Sequence, residues 1–394
     1  MKHYSFLFAA LAMLLFSRSA FAQQPDKTWT ATVDKYRTLV SEAGIIGSSL
    51  YLLQDGTVTS ATHFGLADKK SNTPVDKNTI YHWASITKTF TGIAVMQLRD
   101  RGLLKLDDPA VDYLPELKKV HNPYGKMEDI TIRHLLSHSA GFRGSTWPWG
   151  GSEDWHPYEP TSWEQLVAML PYTKIQFEPG SKYSYSNPGI IFLGQIIELL
   201  TGEDIEVYLD KNILKPLGMY HSYFDHTPYH LLKHRSNNYY LSNGTLTENG
   251  RDFDTGITVS NGGLNAPLSD MIRYLNFLLD TGDKANYGYI LKRSSLNEMW
   301  AVQHTVEQSD NLEENIGLAF FILDFHDGEE TRRYIGHTGS QRGFQSFFYL
   351  HPPTQSAAIM VVNTDVFVEE QGETISETRR ILYEIRRMAY KAVK

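Results

Sequence analysis

The sequence predicts an α+β fold in which one sheet is built from both ends of the chain and interrupted by a large helical insertion. Three observations predict it. Near the N-terminus, Ser48–Leu53 and Val58–Phe64 flank Gln54-Asp55-Gly56, a hairpin signal with Asp-Gly at the turn. Strand character then returns only late, in Leu318–Phe325, Phe344–Leu350 and Ser356–Asn363. Between them, from about 85 to 250, the pattern is helical and loop-rich. A lone N-terminal hairpin is marginal in water, so separate N- and C-terminal domains are the weaker arrangement.

The elements follow in chain order. Residues 1–22 carry Lys2, an apolar run from Tyr4 to Phe16 and the small-residue ending Ala20-Phe21-Ala22. That is the pattern of a secretory signal peptide cleaved after Ala22, with an apolar run short of the roughly 20 residues a membrane span needs. Asp26–Ala43 reads as an amphipathic helix through Trp29, Val33, Tyr36 and Val40. After the hairpin, Ile86–Arg101 becomes helical and is closed by Gly102. Further helices are expected at Ile130–Ser137, Trp163–Leu170, Ile190–Leu200 and Ile205–Leu209, and a last amphipathic helix over about 374–392. The expected organisation is thus a signal peptide, 1–22, and one domain, 23–394. Its sheet region covers about 25–80 and 250–394, and its helical region about 85–250.

Composition narrows the function classes. The chain has 394 residues, 41% of them hydrophobic, and a formal charge of −8. Removing residues 1–22, with Lys2 and Arg18 and no acidic residue, takes the charge to about −10. An acidic, exported chain argues against nucleic acid as a partner. No cysteine is present, which excludes disulfides, a thiolate zinc site, a thiol nucleophile and a lipid-anchored cysteine. The expected location is periplasmic or secreted, with no transmembrane anchor after cleavage.

Trp83-Ala84-Ser85-Ile86-Thr87-Lys88 carries the first candidate chemistry. Residues i and i+3 share a helix face, so Ser85 and Lys88 touch if Ser85 opens the helix. The helix N-terminus favours an oxyanion and disfavours an ammonium, and partial desolvation lowers a lysine further. Such a lysine turns a plain hydroxyl into a nucleophile without a histidine. Alternatively Ser85 merely caps the helix while Lys88 extends to water. Ser85 is the only serine with a lysine at +3. Two more stretches add to it. Tyr185-Ser186-Asn187 places a phenol and a carboxamide two residues apart on an extended loop, where both reach one substrate. His337-Thr338-Gly339-Ser340 lies at a strand end, where Gly339 lets a substrate backbone approach closely. A second Tyr-x-Asn, Tyr274-Leu275-Asn276, falls mid-helix among apolar neighbours and reads as structural.

Together these stretches resemble serine β-lactamases and penicillin-binding proteins, in the branch with class C β-lactamases, DD-peptidases, D-aminopeptidases and related esterases. Ser85–Lys88 matches S-x-x-K, Tyr185–Asn187 matches Y-x-N, and His337-Thr338-Gly339 stands where the K-T-G box is found. The likeness extends through TFTGIAVMQLRDRGLLKLDDP, ITIRHLLSHSAGF, GQIIELLTGEDIEVYLDKNILKPLGM and NGGLNAPLSDMIRY, so it covers about 25–390. The resemblance implies an antiparallel sheet flanked by N- and C-terminal helices, plus an all-helical region. It implies that Ser85 is acylated, that Lys88 takes its proton, and that Tyr185 completes the relay. It implies that Asn187 binds the substrate amide, and that the N–H groups of Ser85 and Ser340 hold the oxyanion. His337 replaces the usual lysine, and a neutral imidazole holds a substrate carboxylate less well than a fixed cation. The implied activity is serine hydrolysis of D-amino-acid peptides or small amides and esters, without metal or organic cofactor. A carboxylesterase with weak β-lactam turnover, or a penicillin-binding sensor that acylates without turnover, are the alternatives.

Other features carry less. No Gly-x-Ser-x-Gly occurs, and no His-Glu-x-x-His, although His134 and His138, and His226, His230 and His234, have helical spacing. His138 reads as a packed, hydrogen-bonded core residue. Trp147, Trp149 and Trp155 form an aromatic loop that either packs on its scaffold or walls the cleft. The last helix, with Arg379, Arg380, Arg386 and Arg387, is expected to pack on the sheet and show a solvated basic face, with peripheral membrane contact as the alternative. Asn243-Gly244-Thr245 has glycosylation spacing.

Overall fold

The computed structural model describes residues 27–142, 160–252, 254–309 and 311–393. A nine-stranded sheet runs in the spatial order Thr73–Pro74, Thr57–Asp68, Gly47–Gln54, Ser356–Val362, Phe344–His351, Glu330–Gln341, Phe321–Asp327, Leu312–Ile316 and His304–Ser309. Every neighbouring pair in it is antiparallel. The chain ends meet inside this sheet, with Leu50 opposite Met360 and Tyr51 opposite Ile359. The α+β expectation with a sheet shared by both ends therefore holds. The hairpin turn has Asp55 at φ 48° and Gly56 at φ 76°, the left-handed pair that a two-residue connection needs.

Strand Gly47–Gln54 is buried along nearly its whole length because both faces are covered. Leu50 and Leu52 pack with Trp29, Tyr36 and Val40 of helix Lys27–Glu42 and with Ile381, Ile385 and Tyr390 of helix Glu377–Ala392. Tyr51 and Leu53 pack on the opposite side, with Phe90 and Ile93 of helix Thr87–Asp100. At about 1.5–3 kcal/mol for each fully buried large apolar side chain, these two layers supply much of what opposes chain entropy.

Helix Thr87–Asp100 is buried at every position from Thr87 to Leu98. Its polar positions therefore need partners, and they have them. Thr91 Oγ1 donates to the Ser260 carbonyl at 2.5 Å, and Gln97 Nε2 donates to the Ile290 carbonyl at 2.8 Å. Asn187–Thr201 is the second long helix of this side, with a buried run from Pro188 to Gly194.

Several boundaries differ from the sequence reading, each for a local reason. The last helix begins at Glu377, where the Ser376 hydroxyl accepts the Arg379 N–H, and Glu373–Ser376 is instead a strand paired with Thr364–Glu370. The strand expected from Leu318 starts at Phe321, because the Leu318 and Ala319 N–H groups bond to the carbonyls of Met299 and Leu136. Asn243-Gly244 is the turn of a hairpin joining Tyr239–Ser242 to Thr245–Glu248, with φ 49° and 75°. Tyr239–Ser242 also runs parallel to Thr364–Glu370. The sheet region was expected to resume near 250. Helices Leu268–Leu279 and Arg293–Met299 follow instead, and the nine-stranded sheet resumes at His304. Strand Leu264–Pro267 before them belongs to a small separate sheet with Ile80–His82 and Tyr223–Phe224. The signal-peptide stretch and Trp147, Trp149 and Trp155 lie outside the described residues. No helix of the described residues is long and apolar enough to cross a membrane.

Candidate active site

Ser85 sits in a single 3-10 turn, Ala84–Ile86, that feeds directly into helix Thr87–Asp100. The turn is fixed from several sides. The Trp83 N–H donates to Leu264 O at 2.8 Å, and its indole N–H donates to Ala266 O at 2.9 Å. Thr87 Oγ1 donates to Ala84 O and accepts the Leu264 N–H. Ala84 itself has φ 49°, a left-handed conformation that costs a non-glycine residue about 1–2 kcal/mol. That strain is held by the surrounding bonds. Its neighbours in the turn are buried, while Ser85 stays partly exposed.

Lys88 is fully buried in the first turn of the helix. Its Nζ lies 3.0 Å from Ser85 Oγ and donates to the backbone carbonyl of Asn261 at 2.8 Å. Burial holds its pKa well below the usual lysine value, with no nearby carboxylate raising it. Nζ also lies 5.0 Å from the centre of the Tyr185 ring. Burial raises the Tyr185 pKa, and the neighbouring Ser85 hydroxyl lowers it less. The phenol is therefore a proton donor at neutral pH, and the amine is the group able to accept a proton.

Asn187 opens helix Asn187–Thr201, capped by the Ser186 hydroxyl, which accepts the Gly189 N–H at 3.2 Å. Its Oδ1 is buried and has no hydrogen-bond partner among the described residues. His337 is buried on strand Glu330–Gln341; its Nδ1–H donates to Thr338 O at 2.6 Å, and its ring lies 6.5 Å from that of Tyr185. Burial first, and the Lys88 charge second, push its pKa down to about 3. The imidazole is neutral. Beyond Gly336, which pairs with Phe321, residues His337–Gln341 pair on one side only, with Phe344–Phe348. Among the described residues no strand pairs with their other edge, and Thr338 and Ser340 are exposed.

The close approach expected at Gly339 is made by the protein itself. A Cβ there would lie 2.3 Å from Trp83 O and 2.6 Å from Ser346 Oγ. Glycine is needed so that the strand touches the serine-bearing turn at Trp83. The strand's end is tied down too, with His82 3.0 Å from both Gln341 Oε1 and Asn265 Oδ1.

The structure thus gathers Ser85, Lys88, Tyr185 and His337, with Asn187 following Tyr185 and Thr338–Ser340 following His337. Sequence reasoning missed Asn261, whose carbonyl fixes Lys88, and the pair His82–Asn265. The signal for both asparagines lay in the family-like stretch NGGLNAPLSDMIRY. Tyr274 is structural as expected, its hydroxyl donating to Thr89 Oγ1 at 2.7 Å. His138 is buried and hydrogen-bonded, also as expected. His226 groups with Asp225 and Asp254, close enough to share a cation.

The chain matches the profile of the β-lactamase family over residues 29–380. It belongs to the β-lactamase family. Protein flp of Staphylococcus aureus (strain COL) is 27% identical over 319 residues, 81% of this chain and 60% of that protein. This chain spans about 60% of the length of such curated relatives. A β-lactamase of Pseudomonas fluorescens is 29% identical over 47% of this chain and 48% of its own length. Among solved structures, the octameric penicillin-binding protein homologue from Pyrococcus abyssi is 25% identical, with a TM-score of 0.72 over 92% of this chain and 77% of that one. A class C β-lactamase is 20% identical, TM-score 0.72, over 92% of this chain and 96% of its own. These likenesses bear out the fold expected of the family, sheet and helical region alike.

Proposed function

We propose that this β-lactamase-family protein hydrolyses amide or ester bonds through an acyl-enzyme on Ser85. The observation that carries the reading is Lys88: a fully buried amine, without a carboxylate partner, 3.0 Å from Ser85 Oγ. Ser85 Oγ attacks the substrate carbonyl as Lys88 Nζ takes its proton. The oxyanion is received by the N–H groups of Ser85 and Ser340, where one such donor is worth about 3–4 kcal/mol in the transition state. Collapse breaks the bond to the leaving nitrogen or oxygen, which takes up the proton passed from Lys88 through the Tyr185 phenol. Water then adds to the acyl carbon while the same groups move its proton the other way, freeing the acid and Ser85. Neither metal nor organic cofactor takes part.

The substrate class we favour is a D-amino-acid peptide or a small amide or ester. Asn187 Oδ1, unpaired among the described residues, suits a substrate N–H, and the edge at His337–Gln341 that no described strand pairs suits an extended acyl chain. A β-lactamase/D-alanine carboxypeptidase from Pseudomonas syringae shares the fold at TM-score 0.69 and 18% identity. A second reading, a carboxylesterase with slow β-lactam turnover, is favoured by the neutral His337, which gives no fixed cation for a carboxylate. Residues 1–22 make an exported, periplasmic or secreted protein our reading of location.

Ser85→Ala should lower hydrolysis of short-chain p-nitrophenyl esters at least 1,000-fold; activity within threefold of wild type would sink the nucleophile assignment. Running D-Ala-D-Ala peptides, D-amino-acid amides, esters and a chromogenic cephalosporin side by side separates the substrate classes. A stoichiometric burst with fluorescent penicillin, and no turnover on any substrate, identifies a sensor instead.

A further inference from the structure

We infer that His138 is a positioning residue that sets the Tyr185 phenol against Ser85 and Lys88. The inference rests on the acyl-enzyme reading above and names a part of the same site.

Three contacts from this single residue surround Tyr185. The His138 carbonyl accepts the N–H of Ser184 at 2.8 Å, one residue before the tyrosine. Its Nδ1 accepts the N–H of Ser186 at 3.2 Å, one residue after it. Its ring lies 4.5 Å from the Tyr185 ring at an interplanar angle of 35°. The backbone on either side of Tyr185 and the ring itself are thus held from one place. Tyr185 lies on a loop, where no ladder or helix bond would otherwise fix it.

The conformation of His138 is what allows this. It has φ 53°, left-handed and uncommon for a histidine, directly after helix Ile132–Leu136 and Ser137. That turn aims the carbonyl and the ring at the same short segment, residues 184–186. The hydrogen bonds also fix the proton. A backbone N–H donates to Nδ1, so Nδ1 carries the lone pair and the proton of the neutral ring is on Nε2. Nε2 is buried and finds no hydrogen-bond partner among the described residues. An imidazole that served packing alone would be a poor choice here, since it leaves that N–H unpaired. Burial holds the ring in the neutral form that can accept from Ser186.

The chemistry makes a separable prediction. Asparagine keeps a short acceptor oxygen and tolerates left-handed φ, whereas phenylalanine keeps the ring contact and loses the acceptor. His138→Asn should retain kcat on p-nitrophenyl butyrate within fivefold, with KM within threefold. His138→Phe should lower kcat about 100-fold, as a small misplacement of a reacting group does, again with KM little changed. A double-mutant cycle supplies the readout that a merely structural role would not move. In a Tyr185→Phe background, H138F should cost less than threefold more, because its effect passes through the absent phenol.

A folded H138F with kcat within threefold of wild type overturns the inference, and so does full additivity in the cycle. If H138F does not fold, H138N decides alone: a folded H138N that loses more than 50-fold in kcat overturns it. If the wild-type protein neither hydrolyses esters nor takes a covalent label on Ser85, the acyl-enzyme reading has failed, and that outcome overturns this inference with it.

Discussion

Lys88 carries a side chain that water would keep charged, yet it lies fully buried between Ser85 Oγ and the Asn261 carbonyl. Burying an ammonium without a counter-ion is expensive, so the amine sheds its proton instead. The same placement makes it a base. Replacement by arginine tests this directly, since a guanidinium cannot give up its proton in a protein. Lys88→Arg should lower kcat at least 1,000-fold. Lys88→Met should do the same without lowering the unfolding midpoint, because an apolar side chain of similar length suits a buried site better than an amine. Ester hydrolysis by folded K88R or K88M near the wild-type rate would reject Lys88 as the base. The serine–lysine spacing was legible in sequence because i, i+3 contact is a local property of a helix. The protonation state was not, because it depends on what covers the lysine, and the covering carbonyl comes from 173 residues away.

Among the elements, the contact that assembles the site is that of strand Glu330–Gln341 with the turn Ala84–Ile86. It depends on Gly339, which lies against the Trp83 carbonyl. A methyl group there meets backbone, which cannot swing aside as a flexible side chain can. Gly339→Ala should therefore push the strand from the turn, costing about 1–3 kcal/mol of stability, and lower kcat by disturbing the turn that carries Ser85. Urea unfolding and kcat measured on the same preparation check this. A G339A protein with unchanged midpoint and unchanged kcat would show that the strand and turn have slack the structure does not suggest. The sequence reading had this glycine facing substrate. The residue type was informative, in that something had to approach closely, but nothing in the sequence names which atoms do. Element boundaries follow the same division. Asp55-Gly56 and Gly102 end their elements through their own φ preferences, and both were read correctly. Thr374 and Ile375 sit in a strand because Glu369 and Val368 lie opposite, which no local pattern announces.

For the whole molecule, two buried neutral histidines couple the site to stability. His138 and His337 both have folded pKa values below the ordinary histidine value near 6.5, His337 at about 3. Between pH 6.5 and 3 the unfolded chain binds protons that the folded chain excludes, so stability falls as pH falls through this window. The slope is up to about 1.4 kcal/mol per pH unit for each such group. Above pH 7 this contribution is complete and the histidines add no further dependence. Thermal melts followed by circular dichroism from pH 8 to 4 should show the midpoint dropping below pH 6.5, with a shallower drop in His337→Gln. A midpoint unchanged down to pH 4 would mean that these rings are hydrated and titrate normally.

By itself, the sequence determined what depends on neighbours along the chain. Hairpin and helix positions followed from periodicity and turn residues, and the Ser85–Lys88 pairing followed from helical spacing. The ordered motifs told which family the chain resembles. Only the tertiary structure decided what depends on distant segments arriving at one place. It buried Lys88 under Asn261, set His138 around Tyr185, and pressed Gly339 on Trp83. The physical reason is that φ/ψ preference and side-chain period act over a few residues, whereas desolvation and hydrogen-bond completion act over a few ångströms, whatever the separation in sequence.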